Sequence, residues 1–306
     1  MNSEPFHSMA RREFLKTTAI VAAATVAGPG SDSLGRDADG SVRGSKLIDV
    51  NVSLSRWPCR RLPLDETTKL AAKLRSLGVV QAWAGSFDGL LHKDITAVNA
   101  RLAEECRAHG RDLFVPFGSI NLQRPGWEEE LVRCRAKHKM PGIRLHPNYH
   151  GYKLNDAEFA ECLRAAASVG LIVQIAVSME DERVQHPSVR AADVDLTPLP
   201  GIMREIPSAR VVLLNWFRAV KGELLGQLSA TKRAWFDLAM VEGVGGIEKL
   251  VRAVPSERVL FGSHAPFFYP ESAVLKLKES VLAPEEARMV THGSARELIE
   301  GGKGKG

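Results

Sequence analysis

Between Leu47 and Pro266 the chain repeats one theme eight times: a short apolar run, then a stretch with the period of an amphipathic helix. The runs occupy 47–54, 79–87, 113–121, 142–149, 171–179, 210–217, 234–241 and 258–266. Nearly continuous apolar runs suit parallel strands buried on both faces, and their alternation with helices calls for β/α crossover units. Gly78, Gly110 and Gly170 close three of the helical patterns, as C-terminal caps do. Two architectures fit, a closed barrel and an open doubly wound sheet. The open sheet calls for a Gly-rich phosphate turn after the first strand, and none follows Leu54. The reading is an α/β, single-domain (β/α)8 TIM barrel over residues 46–300, and 306 residues provide the length of about 250 that such a barrel needs.

The ends of the chain read differently. Arg11-Arg12-Glu13-Phe14-Leu15-Lys16 precedes an uncharged run from Thr17 to Gly28, the order of a twin-arginine export signal. Residues 1–28 are therefore read as a signal segment, and the protein as periplasmic or otherwise exported. The apolar run is shorter than the roughly 20 residues a bilayer span needs, so membrane contact is expected only with the leader uncleaved. Residues 29–45 have the Gly, Ser and Asp content of a linker, and 301–306 form a tail. The net charge of +5 is scattered among acids, which argues against a nucleic-acid partner and leaves a small molecule as the expected one. An oligomer is compatible with this composition. Cys59, Cys106, Cys134 and Cys162 lack metal-type spacing, and the last three sit among apolar helical neighbours, as buried thiols do.

In a barrel of parallel strands, chemistry collects at the C-terminal strand ends. On the first strand Val50, Val52 and Leu54 alternate with Asn51 and Ser53, which puts the two polar residues on one side at the mouth. The fourth strand is the most polar: Arg144, His146 and Asn148 share a face by period two, and His150 continues it. A guanidinium beside imidazoles suits a substrate carboxylate or phosphate, so a small anionic ligand is expected at Arg144. His264 ends the eighth strand, Asn215 the sixth, and Asp237 lies in the seventh. His146, His264 and Asp237 are the catalytic candidates, since neutral imidazole serves as acid, base or ligand. Arg144, Asn148, His150, Asn51, Ser53 and Asn215 are the binding candidates. Glu180-Asp181-Glu182-Arg183 reads equally as a solvated charged loop, and His186 before Pro187 as a residue that orders it.

Several of these segments resemble one family. Leu47-Ile48-Asp49-Val50-Asn51-Val52-Ser53 is similar to the first-strand motif of the amidohydrolase-related proteins, in the branch containing aminocarboxymuconate-semialdehyde decarboxylase-like enzymes. Val259-Leu260-Phe261-Gly262-Ser263-His264-Ala265-Pro266 resembles that family's last strand, Gly142 to Pro147 its fourth, Arg210 to Asn215 its sixth, and Gly293 to Leu298 its closing helix. The resemblance implies a barrel hydrolase or decarboxylase with one divalent metal, often zinc. It also locates departures: Asn51 and Ser53 replace two histidines, Ala176 and Asn215 replace one each, and His264 replaces an aspartate. Neutral oxygen donors and a methyl group do not make a tight zinc site. Three readings follow: a metal-free enzyme using His146 or His264, a catalytically silent binding barrel, or an unconventional metal site of His146, His150, His264 and Asp237.

Overall fold

The computed structural model describes residues 46–110 and 112–301. The signal segment at 1–28, the linker at 29–45 and residues 302–306 of the tail lie outside the described residues. Eight strands follow one another in chain order, every neighbouring pair parallel. They are β1 (Leu47–Leu54), β2 (Val79–Ser86), β3 (Phe114–Ser119), β4 (Gly142–Leu145), β5 (Ile172–Ala176), β6 (Val211–Leu214), β7 (Ala234–Asp237) and β8 (Val259–Leu260). Closure comes from the segment at β8, where Phe261 and Ala265 carbonyls accept from the N–H groups of Val50 and Ser53, both at 2.9 Å. The helices are α1 (Thr67–Ser76), α2 (Asp88–Leu91), α3 (Ile95–Gly110), α4 (Trp127–Ala136), α5 (Pro147–His150) and α6 (Ala157–Ser168). They continue with α7 (Leu199–Glu205), α8 (Gly222–Ala230), α9 (Gly246–Ala253), α10 (Pro270–Glu279), α11 (Pro284–Arg288) and α12 (Ser294–Glu300). The expected TIM barrel is the observed fold.

Helix α3 shows how the pattern works. Ile95, Val98, Leu102 and Cys106 recur at three- and four-residue spacing and are all buried, while the Asp94 carboxylate accepts from Ala97 N–H at 2.9 Å and caps the start. Alternate strand residues such as Ala82, Ile143, Val173 and Val211 pack outward against Leu70, Leu102, Leu131 and Phe159 of the helices. Their neighbours Trp83, Phe117, Ile172, Val212, Trp235 and Leu260 fill the lumen, joined by Ala295 and Leu298 of α12. Layered lumen packing of this kind makes the barrel a core rather than a pore.

Three local expectations need correcting. A register shift between Asp49 and Val52 breaks the alternation of β1, so Val50 joins the lumen cluster while Val52 and Leu54 join the outer one. Such a bulge re-aims side chains, here Asn51 and Ser53 into the barrel. The fourth strand stops at Leu145, because Pro147 has no N–H for a ladder and favours the first position of a helix. Asn148 and His150 thus sit on the single turn of α5 and do not share a strand face with Arg144. Finally, the segment expected as one helix from 284 to 299 is α11 and α12 joined through a π-turn at Met289–Gly293. The four cysteines are unpaired thiols, and Cys106, Cys134 and Cys162 are buried.

Candidate functional site

At the C-terminal end of the lumen a chain of amides takes the place that the first-strand residues define. The Asn51 carboxamide donates both N–H bonds, to Asn215 Oδ1 at 2.8 Å and to Asp237 Oδ2 at 2.7 Å. Asn215 N–H donates to Asp237 Oδ1 at 2.9 Å, and its side-chain amide donates to Ser178 O at 2.7 Å and to His264 Nδ1 at 3.2 Å. His264 Nε2 lies 2.8 Å from Met179 O, which requires the proton on Nε2 and leaves Nδ1 as the acceptor. Asn215 and His264 hold φ of +57° and +58°, a left-handed conformation that costs a non-glycine residue about 1 kcal/mol or more and persists because these bonds fix both ends. Gly262 gives the network room, since a Cβ there would come within 2.9 Å of Asp237 Oδ2.

Burial sets the protonation of this network. It raises Asp237 to about 7, against the donors Asn51 and Asn215, and raises Asp49 to about 6. Burial lowers His264 to about 4. Between pH 4 and 6.5 an unfolded His264 is protonated and the folded one is not, so its contribution makes stability rise with pH. The two carboxyls act oppositely: protonated in the fold, ionised when unfolded, they lose stability as pH rises through 6 and 7. His264→Asn therefore abolishes about 3 kcal/mol of pH-dependent gain between pH 4 and 6.5, leaving a steeper decline toward neutrality. Urea unfolding of both proteins across that range measures it, and parallel pH curves would refute the assignment.

Arg144 lies below this network and spans the lumen. Its Nε donates to Gln174 Oε1 at 2.8 Å, Nη1 to Val52 O at 2.9 Å and Ser53 Oγ at 3.2 Å, and Nη2 to Trp83 O at 3.2 Å. Gly85 is required beside it, because a Cβ there would meet Nη1 at 2.7 Å. The expected fork for a substrate carboxylate is thus committed to the barrel wall. Its pKa, lowered by burial to about 10, keeps it charged at neutral pH, so it supplies positive potential.

His146 and His150 stand apart from the amides, with ring centroids 5.9 Å from each other. His150 Nε2 lies 2.9 Å from Gly89 O and carries the proton, while Nδ1 of each ring is buried without a partner. Burial lowers both rings, His146 strongly, with His150 and Arg144 adding to its shift. Asn148, expected at the site, instead donates to Ala192 O at 3.1 Å and anchors the loop after β5.

A strap over residues 55–66 covers the mouth. Trp57 meets Phe87, Phe267 and Tyr149 edge-on, with centroids at 5.4, 4.8 and 6.1 Å. Arg60 pairs at 2.9 Å with Glu180, which is buried, so of the two readings of its loop the solvated one does not hold for Glu180. His186 Nδ1 accepts from Ser188 N–H at 3.2 Å and does order its loop. Arg60→Ala leaves Glu180 without its cation and weakens the strap by about 1–2 kcal/mol. Amide exchange at residues 55–66 then accelerates about tenfold, and unchanged protection would show that the bridge does not hold the strap.

The donors present do not fit a divalent metal. Both nitrogens of His264 and both oxygens of Asp237 are engaged, Asn51 offers N–H groups to its neighbours, and Ala176 has no donor. The described residues contain no group of three or more His, Cys, Asp or Glu placed to hold one. Of the four residues named as an unconventional ligand set, His264 and Asp237 are engaged in the amide network, and His146 and His150 stand as a separate pair. Asp49, whose Oδ1 accepts from Asn51 N–H and Ser263 N–H, and the Trp57 strap were missed in the sequence. Asp49 carried a signal in retrospect, as a carboxylate inside an apolar run. Trp57 carried none.

The comparisons agree with the barrel geometry. A similar solved structure is 5-carboxyvanillate decarboxylase from Sphingomonas paucimobilis, 14% identical, with a TM-score of 0.68, covering 84% of this chain and 99% of that one. The Novosphingobium aromaticivorans 5-carboxyvanillate decarboxylase, solved with manganese and 4-hydroxy-3-methoxy-5-nitrobenzoic acid, is 15% identical at a TM-score of 0.67, with 84% and 96% covered. A 2,6-dihydroxybenzoate decarboxylase from Rhizobium is 13% identical at 0.66, with 84% and 98% covered. No curated protein sequence matches the chain. The amidohydrolase family matches residues 58–300, nearly the whole barrel, and the chain belongs to that family.

Proposed function

We propose that this barrel is a metal-independent enzyme of the amidohydrolase type, a hydrolase or decarboxylase of a small anionic molecule, with His146 as its proton-transfer group. The observation that carries this reading is His146 Nδ1, a buried nitrogen without a partner on a ring kept neutral by burial. Buried polar atoms are ordinarily satisfied, and an orphan at a barrel mouth is a candidate for contact with substrate. A neutral imidazole there can take the proton of an attacking water. Arg144 supplies positive potential for an anion, while Asn51, Asn215, Asp237 and His264 hold the mouth in shape. The solved relatives named above act on aromatic acids, which supports an aromatic carboxylate as the substrate class. Arg11 and Arg12 ahead of an uncharged run support work in the periplasm.

The satisfied amide network and the aromatic strap favour a second reading, a barrel that binds such a molecule without converting it. One experiment separates them: chelator-treated protein is offered hydroxybenzoic acids and their amides, with decarboxylation and hydrolysis followed together. Turnover indifferent to chelation is the expected result. Saturable binding without turnover selects the second reading, and turnover that needs added metal overturns metal independence.

A further inference from the structure

We propose that a cavity between the starts of α3 and α4 binds a small carboxylate, away from the barrel axis. Its volume is about 120 Å³, and its walls include Lys93, Asp94, Ile120, Arg124, Trp127 and Glu130. A water needs about 10–15 Å³ on the same measure, so roughly ten non-hydrogen atoms fit, the size of one substituted ring.

The charges in this cavity are unevenly used. Asp94 is occupied in capping α3. Glu130, 4% exposed, accepts from Thr96 Oγ1 at 2.6 Å and Asn99 Nδ2 at 2.8 Å and pairs with Arg133 at 3.0 Å. Among the described residues the side chains of Lys93 and Arg124 have neither an ion pair nor a hydrogen bond, so two cations face the cavity with their charge unspent. The field of Arg124 reaches inward to His150, whose pKa it helps to lower. Helix α4 begins at Gly126 with φ of +81° and no side-chain cap, but Glu128, Glu129 and Glu130 in its first turn offset the partial positive charge of its first N–H groups, so Lys93 and Arg124 carry the attraction for an anion. Ile120 and Trp127 offer an apolar wall, and Asp94 disfavours a doubly charged ligand, so the chemistry selects a monocarboxylate with an apolar body over inorganic phosphate.

This site does not depend on the role given to His146. The test titrates the full chain with benzoate, followed by tryptophan fluorescence and calorimetry. The expected result is saturable binding whose fluorescence signal disappears in Trp127→Phe and whose Kd weakens about tenfold in Arg124→Ala. Arg124 is exposed and unpaired, so its replacement preserves the fold, which an unaltered melting temperature verifies. Four results would each overturn the proposal: no saturable binding, an undiminished signal in Trp127→Phe, undiminished affinity in Arg124→Ala, or phosphate competing more strongly than benzoate.

Discussion

Arg144→Ala lowers the stability of the barrel by about 3–5 kcal/mol, and its melting temperature by roughly ten degrees. The alanine removes donors from Gln174, Ser53 and the Val52 and Trp83 carbonyls, all inside the lumen. Each orphaned acceptor costs about 1–3 kcal/mol, partly offset wherever water enters the vacated volume. The substitution also removes the buried cation whose charged form Asp237 and Asp49 both favour. Arg144→Lys recovers little, since an ammonium cannot reach acceptors spread over three strands as a planar fork does. Chemical unfolding measures the change. A stable Arg144→Ala protein with weakened ligand binding alone would mean that the guanidinium serves the ligand and not the barrel wall.

His146→Gln reduces turnover by about a hundred- to ten-thousandfold, the usual range for a lost acid or base. Glutamine retains hydrogen bonding but transfers no proton, so kcat should fall while KM changes little. Stability should change by less than about 1 kcal/mol, because Nδ1 of His146 has no partner to forfeit. His264→Gln should show the reverse, a loss of stability through Asn215 and Met179. Equal loss of kcat in both variants would show that the amide network takes part in the chemistry. An unaffected kcat in His146→Gln would remove the proposed proton-transfer group.

Most of the barrel was legible because its outer packing repeats. Residues such as Ile143 and Leu145 or Val173 and Ile175 alternate against the helices, and that period is written in the chain. Departures from the period were not legible. The bulge in β1 depends on Asp49 bonding to the Asn51 and Ser263 N–H groups, the latter more than two hundred residues away in sequence. Pro147 did announce the end of β4, yet the polarity of Arg144, His146 and Asn148 suggested a longer strand. Candidate residues could be named from their strand ends, but their partners could not. Arg144 and His264 have the composition of reactive groups, and only the distances reveal that their polar atoms are already engaged. The strap and the cavity at Arg124 arise from loops, where no periodicity records which side chains will meet.

The strap has a thermodynamic consequence for any ligand of the barrel axis. If opening it costs about 2–3 kcal/mol, only about 0.6–3% of molecules are open at a given moment, and the observed affinity is the intrinsic one multiplied by that fraction. Arg60→Ala would then enlarge the open population, tightening apparent binding while the folded state weakens. Affinity and stability are drawn in opposite directions by one ion pair, and selection for a stronger binder would act first on Arg60 and Glu180, residues that need never touch the ligand.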